Sequence, residues 1–149
     1  MEFVHEITAY LENKPGRLAK ICSALAQEKI NIQALSVMDT PDRSVLRMVT
    51  NDLEPTRKVL TSVGAESQHR EVIAVDMENR PGGLAKILEK LAEEHINIEY
   101  AYVAPSGAPG RAVGIFHVSN PKRAFKILSE SPSNGSADRS GDRRPLHSR

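Results

Sequence analysis

Residues 12–37 read ENKPGRLAKICSALAQEKINIQALSV, and residues 78–103 read ENRPGGLAKILEKLAEEHINIEYAYV. The two stretches align without a gap at an offset of 66 residues, and 15 of their 26 positions are identical by direct count. The identities fall on Asn-x-Pro-Gly, on the apolar positions of the middle segment and on Ile-Asn-Ile. A repeat in this register predicts two copies of one structural unit.

Length and composition agree with two small units. The chain has 149 residues and a net charge of +1, so its charge balance indicates neither a nucleic acid nor an anionic membrane as a partner. Because a unit of about 66 residues buries only about 60% of its unfolded surface, we expect the two copies to pack together. The single cysteine, Cys22, the absence of a membrane-length apolar run and the absence of a signal-peptide pattern predict a cytoplasmic protein.

Hydrophobic periodicity predicts the same order of elements in both copies. Period-two alternation marks strands and an i, i+3, i+4 stripe marks helices, which together give β-α-β-β-α-β for each unit. The predicted fold class is therefore α+β, with two ferredoxin-like units that each have an antiparallel sheet and both helices on one face. Unit one covers residues 1–70 and unit two covers residues 71–130. The two main helices carry the stripes Leu18, Ile21, Cys22, Leu25, Ala26 and Leu84, Ile87, Leu88, Leu91, Ala92.

The second copy departs from the pattern at its end. Residues 131–149 are rich in serine, glycine and arginine, so we expect a disordered tail in place of a fourth strand. Unit two is then one strand short, which predicts an uncovered strand edge. A replaced C-terminal sequence or a strand lent by a partner chain would account for the gap, and the open edge favours a homodimer.

Two strand-to-helix turns are the candidate ligand sites. Backbone amides at a helix N-terminus attract an anion, and a glycine there lets a ligand approach the backbone. Asparagines at the turns and at the start of the following strands add donors and acceptors, which suits a small zwitterion. The alternative is that these residues only shape turns and cap helices. The candidate ligand-binding residues are Asn13, Pro15, Gly16, Asn31, Asn79, Pro81, Gly82 and Asn97.

Other kinds of site are not indicated. The five histidines have no metal-ligand spacing, and no nucleophile elbow, P-loop or dinucleotide-binding glycine pattern occurs. Glu12 and Glu78 lie in turns where we expect them to be solvated. We therefore predict no catalytic residue, no metal site and no cofactor.

The repeated order of strand, E-N-x-P-G-x-L-A, helix, I-N-I and strand closely resembles the ACT domain. This resemblance covers residues 3–130 and implies ferredoxin-like units that pair into a continuous sheet and bind an amino acid at their junction. It also implies crossed sites, in which Asn13 acts with Asn97 and Asn79 acts with Asn31. The serine-binding members have a histidine where Leu11 and Met77 stand here, which favours a branched or thioether amino acid.

We therefore expect a non-catalytic regulatory module that binds an amino acid or related small effector and signals to a partner, such as an enzyme of amino-acid biosynthesis. The alternative is a structural or interaction protein of the same fold without a working ligand site. An RNA-binding module shares this topology, but its sheet needs stacking aromatic residues. Tyr100 and Tyr102 alternate on one strand, whereas the first copy has Ala34 and Ser36 there.

Overall fold

A computed structural model describes residues 1–130, so the predicted tail at 131–149 lies outside the described residues. The elements are β1 (Glu2–Leu11), α1 (Arg17–Gln27), β2 (Ile32–Asp39), β3 (Ser44–Thr50), α2 (Leu53–Ser62), β4 (Glu66–Glu78), α3 (Gly83–Glu93), β5 (Ile98–Pro105), β6 (Arg111–Val118) and α4 (Pro121–Glu130). The α+β, ferredoxin-like prediction is confirmed.

All strands belong to one antiparallel sheet with the order β2-β3-β1-β4-β6-β5. β4 contains both the last strand predicted for unit one and the first strand predicted for unit two. Its N-terminal half pairs with β1, from Glu66 opposite Tyr10, and its C-terminal half pairs with β6, as far as Glu78 opposite Arg111. One long strand therefore serves both units.

The fourth-strand position of unit two is occupied by the N-terminal half of β1. Phe3 lies opposite Ile73 on β4, and its ring stacks on Phe125 of α4 with 4.6 Å between centroids. His5 of β1 lies opposite Glu71 of β4, and the offset of 66 residues makes these two positions equivalent in the repeat. An approximate two-fold axis that relates unit one to unit two therefore passes through this pair.

The predicted open edge in unit two is therefore wrong, and the gap needs neither a partner strand nor a replaced C-terminus. The physical reason is that β1 pairs with β4 from Glu2 to Tyr10, so the N-terminal half of β1 fills the fourth-strand position of unit two. Within residues 1–130 the two outer strands of the sheet are β2 and β5.

The helices pack on one face of the sheet, on two cores. Leu25 of α1 and Leu91 of α3 are fully buried, and each belongs to the core of its own unit. The predicted stripes are only partly correct, because Ala26 and Ala92 are exposed and Leu84 is 38% exposed. The buried residues of α1 are Ile21 and Leu25, which lie one helical turn apart, and the buried residue of α3 is Leu91.

The opposite, helix-free face has a core of its own. Its members come from β2, β3, β4, β5 and β6: Ala34, Val49, Val72, Ala74, Ala104 and Ile115. β2 and β5 are outermost in the sheet order, yet they are in contact with each other. The sheet is therefore curled around this face, and the curl brings the second strand of unit one against the equivalent strand of unit two.

Candidate functional site

The two strand-to-helix turns have the same geometry. Gly16 and Gly82 precede α1 and α3 with φ of 85° and 87°, a left-handed conformation that favours glycine. No side chain caps either helix, so Asn13 and Asn79 do not act as caps. The amide of Arg17 donates to the carbonyl of Lys14, and the amide of Gly83 donates to the carbonyl of Arg80, so the first amide of each helix already has a partner. Only the amides that follow it in each helix remain available to an anion.

Ion pairs surround these turns at the surface. Glu12 lies 3.1 Å from Nζ of Lys14 and 3.4 Å from Arg17, and Glu78 pairs with Arg80. The hydrogen bond from Lys14 and its charge, followed by those of Arg17, lower the pKa of the Glu12 carboxyl below its ordinary value. Both glutamates are exposed, as predicted, and both are paired with cations.

Asn31 and Asn97 begin equivalent hairpins. The amide of Asn31 donates to Oδ1 of Asn51 at 3.0 Å, and the amide of Asn97 donates to Oγ of Ser119 at 3.0 Å. The residue two positions earlier, Lys29 or His95, has a φ of 56° or 55°, a left-handed conformation that is uncommon for residues other than glycine.

The eight predicted ligand residues are all exposed, and the structure does not gather them into one pocket. Within residues 1–130 the side-chain amides of Asn13, Asn31, Asn79 and Asn97 form no hydrogen bond, so all four are free to bind a ligand. The crossed pairing of these asparagines stays a prediction.

A cavity between the two units includes one of these asparagines. This junction cavity has a volume of about 530 Å³ and opens where β2 and β5 approach each other. Unit one contributes Val4, Asn31, Ile32, Gln33, Ala34 and Val49, and unit two contributes Ala74, Ala104, Pro105, Ser106, Gly107, Val113 and Ile115. Asn79 is not among the lining residues, but its amide donates to the carbonyl of Gly110, at the far end of the same β5–β6 loop.

A buried polar cluster on the helix-free face was not predicted from the sequence. The Glu6 side chain is fully buried, and its carboxylate accepts hydrogen bonds from the hydroxyls of Tyr100 and Tyr102, the latter at 2.6 Å. The Arg47 guanidinium lies 4.0 Å from the Tyr100 ring centroid, and among the described residues its buried Nε has no hydrogen-bond partner. Glu6 belongs to unit one and both tyrosines belong to unit two, so the cluster joins the units.

The cluster changes the acidity of both tyrosines. Burial, followed by the hydrogen bond to Glu6 and its negative charge, raises the pKa of Tyr100 to about 12. The same causes, in the same order, raise the pKa of Tyr102 well above its ordinary value. Both phenols therefore remain protonated donors at neutral pH.

The part of the chain that the structure describes also limits the kinds of site. No group of three or more His, Cys, Asp or Glu residues is placed to hold a metal ion in residues 1–130. None of the helices in this region is long and apolar enough to span a membrane. The exposed side-chain amides at the turns and at the strand starts can donate and accept hydrogen bonds.

Comparison with known proteins agrees with the duplicated architecture. The model of the ACT domain pair family matches residues 2–131. The chain belongs to the ACT domain pair family. ACT domain pairs are regulatory domains and are generally non-catalytic.

Solved structures show the same fold. Protein BT0572 from Bacteroides thetaiotaomicron is 30% identical, with 86% of this ACT domain pair and 88% of that chain covered and a TM-score of 0.79. The ligand-free regulatory subunit of aspartate kinase from Thermus thermophilus is 19% identical, with 86% and 93% covered and a TM-score of 0.65. Escherichia coli aspartokinase III, in complex with lysine and aspartate, is 16% identical, with 86% of this chain but 30% of that chain covered and a TM-score of 0.54. No curated protein sequence matches.

Proposed function

We propose that this ACT domain pair is a non-catalytic regulatory module of the cytoplasm that binds an amino acid or related small effector at the junction of its two units. Occupancy of that site signals to a partner protein, and an enzyme of amino-acid biosynthesis is the partner class we favour. Membership in a regulatory family supports this proposal. A similar fold in an aspartokinase in complex with lysine and aspartate is consistent with it.

The observation that carries the proposal is the junction cavity. Both units contribute to its lining, so a ligand bound there would contact both. Such a ligand would change the relative stability of different arrangements of the two units, which is what an allosteric signal requires.

The candidate residues remain the two crossed pairs of asparagines with the turns that follow Asn13 and Asn79. For the pair of Asn79 and Asn31, both asparagines lie beside the β5–β6 loop. Asn31 lines the junction cavity with Ser106 and Gly107, and the amide of Asn79 is bonded to Gly110. A ligand held by both asparagines would therefore also lie against this loop.

A thermal-shift screen against the amino acids, followed by calorimetry, tests the function. We expect at least one amino acid to raise the melting temperature, because a ligand that binds only the folded chain stabilises it by about 2.7 kcal/mol at 100 times its Kd. The corresponding free carboxylic acids without an amino group serve as controls. No shift and no heat with any amino acid at millimolar concentration would contradict the proposal.

The alternative function, an interaction protein, is favoured by one observation. Apolar side chains are exposed on the two outer strands, with Val37 of β2 48% exposed, Met38 47% exposed and Val103 of β5 53% exposed. Exposed apolar residues on edge strands are typical of a surface that another chain covers.

These outer strands also support a homodimer. We expect sedimentation to show a dimer at tens of micromolar, and we expect Val37→Lys and Val103→Lys together to convert it to a monomer, because a charge opposes burial of the strand. Ala92→Lys, at an exposed helical position, is the matched control and should leave the dimer intact. A wild-type monomer at this concentration would remove the dimer from the proposal.

A further inference from the structure

The junction cavity has an apolar floor on the sheet face opposite the helices. The floor consists of aliphatic side chains from β1 to β6: Val4, Ala34, Val49, Ala74, Ala104, Val113 and Ile115. Ala34, Ala74 and Ala104 are among the buried residues of this face, and they come from β2, β4 and β5. Because three strands contribute a methyl group where a larger side chain would fill the space, the curled sheet leaves a cavity between its outer strands.

The mouth of the cavity is polar and neutral. Asn31 and Gln33 of unit one lie at the mouth with Ser106 and Gly107 of unit two, and no lining residue carries a charge. Within residues 1–130 the side chains of Asn31 and Gln33 form no hydrogen bond, and the amides of Ser106 and Gly107 donate none. Amide oxygens can accept from an ammonium group, and free backbone amides can donate to a carboxylate.

The size of the cavity fits a small molecule. A volume of about 530 Å³ lies within the range of about 300–1,000 Å³ that is typical of small-molecule sites. An uncharged lining disfavours any side chain that would carry a net charge onto the floor, because burying an unpaired charge is costly. A zwitterion with an apolar side chain meets both conditions, since its two opposite charges remain together at the mouth.

We propose that the junction cavity binds an amino acid with an aliphatic or thioether side chain. The side chain lies on the alanine floor, and the ammonium and carboxylate groups lie at the mouth between Asn31, Gln33 and the Ser106–Gly107 loop. This inference rests on the proposed function and assigns the effector a location and a class.

Calorimetry on the full chain, with leucine, isoleucine, valine and methionine compared with serine, lysine and aspartate, tests the class. The variant Ala74→Leu, which fills the floor, tests the location. We expect the apolar amino acids to bind at least 10-fold more tightly than the other three, and Ala74→Leu to weaken their binding at least 10-fold. Ala92→Leu, at an exposed position on α3, is the matched control and should bind like the wild type.

Alanine-methyl NMR of the wild-type chain gives a second measurement that does not depend on how well Ala74→Leu folds. Leucine or methionine should shift the methyl resonances of Ala34, Ala74 and Ala104 and leave those of Ala19 and Ala92 unchanged. Retained affinity in Ala74→Leu, or unshifted floor methyls in the presence of a bound amino acid, would overturn the cavity as the site while the proposed function stands. Absence of binding by any amino acid would overturn both.

Discussion

At the scale of single residues, the cluster of Glu6, Tyr100 and Tyr102 shows how buried charge is accommodated between the units. A carboxylate with no exposed surface is costly unless it is hydrogen-bonded, and two phenols from the other unit supply the bonds. The bonds join residues more than 90 positions apart in sequence. The cluster therefore stabilises the contact between the two units as well as the position of Glu6.

The raised pKa of Tyr100 predicts a loss of stability at alkaline pH. The folded chain holds the phenolic proton up to about pH 12, whereas an unfolded tyrosine releases it near pH 10.0. The stabilisation is therefore fully present below pH 10 and is lost as the pH rises from about 10 towards 12. Urea unfolding measures the free energy of unfolding at pH 8 and at pH 11. The decrease between these two pH values should be smaller for Tyr100→Phe than for the wild type.

Tyr10→Phe is the control for that experiment. The Tyr10 ring contacts the Arg43 guanidinium, and within residues 1–130 its hydroxyl forms no hydrogen bond. In this variant the free energy of unfolding should decrease from pH 8 to pH 11 by as much as it does in the wild type. An equal change in Tyr100→Phe and in the wild type would contradict the raised pKa of Tyr100 that burial and the hydrogen bond to Glu6 produce.

The asparagine pairs predict a pattern of coupling. In the crossed arrangement that the resemblance implies, Asn79→Ala and Asn31→Ala should each weaken effector binding roughly 10- to 100-fold, because a hydrogen bond to a charged group contributes about 1.5–3 kcal/mol. A ligand confined to the junction cavity, which Asn79 does not line, should lose affinity only with Asn31→Ala. The double variant should lose less than the sum, because both residues hold one ligand. Calorimetry of the four chains in the cycle measures the coupling, and additive losses, or coupling of Asn79 to Asn97 instead, would contradict the crossed arrangement.

At the scale of elements, each main helix places one fully buried leucine in the core of its own unit. Leu25→Ala and Leu91→Ala should each lower the free energy of unfolding by about 2–5 kcal/mol, because truncation leaves a cavity in a packed core. Chemical denaturation measures the change. Leu84→Ala is the matched control on the partly exposed side of α3 and should lose less. A loss below about 0.5 kcal/mol at both buried positions would contradict the packing.

At the scale of the whole molecule, the two units are not separable domains in the sheet. The N-terminal half of β1 completes unit two, the N-terminal half of β4 completes unit one, and β1 and β4 pair along nine consecutive positions from Glu2 to Tyr10. Cutting the chain at the repeat boundary would therefore remove a strand from each half. We expect the chain to unfold as one cooperative unit.

The stacked pair of Phe3 and Phe125 tests this cooperation. Phe3 is in the first repeat and Phe125 is in the last helix, and their rings are 4.6 Å apart. Phe3→Ala and Phe125→Ala should show a coupling energy of about 0.5–1.5 kcal/mol in a double-mutant cycle. Both variants should keep a single unfolding transition in calorimetry. A second transition in Phe3→Ala, or zero coupling, would show that β1 does not complete unit two.

Local patterns in the sequence were enough to predict the repeat and the type and order of the elements, apart from the join at residue 70, where the structure has one continuous strand. Alternation and helical spacing act over a few residues, so they can be read along the chain. The two turns were also predictable, because Pro-Gly and asparagine act on the backbone beside them. The same reasoning placed the candidate ligand residues at the ends of elements, where the structure has them, and it could not show which of them face one another.

Only the tertiary structure decided how the units join. The sharing of β1 and β4, the contact of β2 with β5, the junction cavity and the bonds from Tyr100 and Tyr102 to Glu6 all depend on pairing between distant segments. Strand register and sheet curl follow from the packing of both faces at once, so no single stretch encodes them. Glu6 lies on an alternating strand, where its charge predicts an exposed position, and only the curl of the sheet brings the tyrosines that bury it.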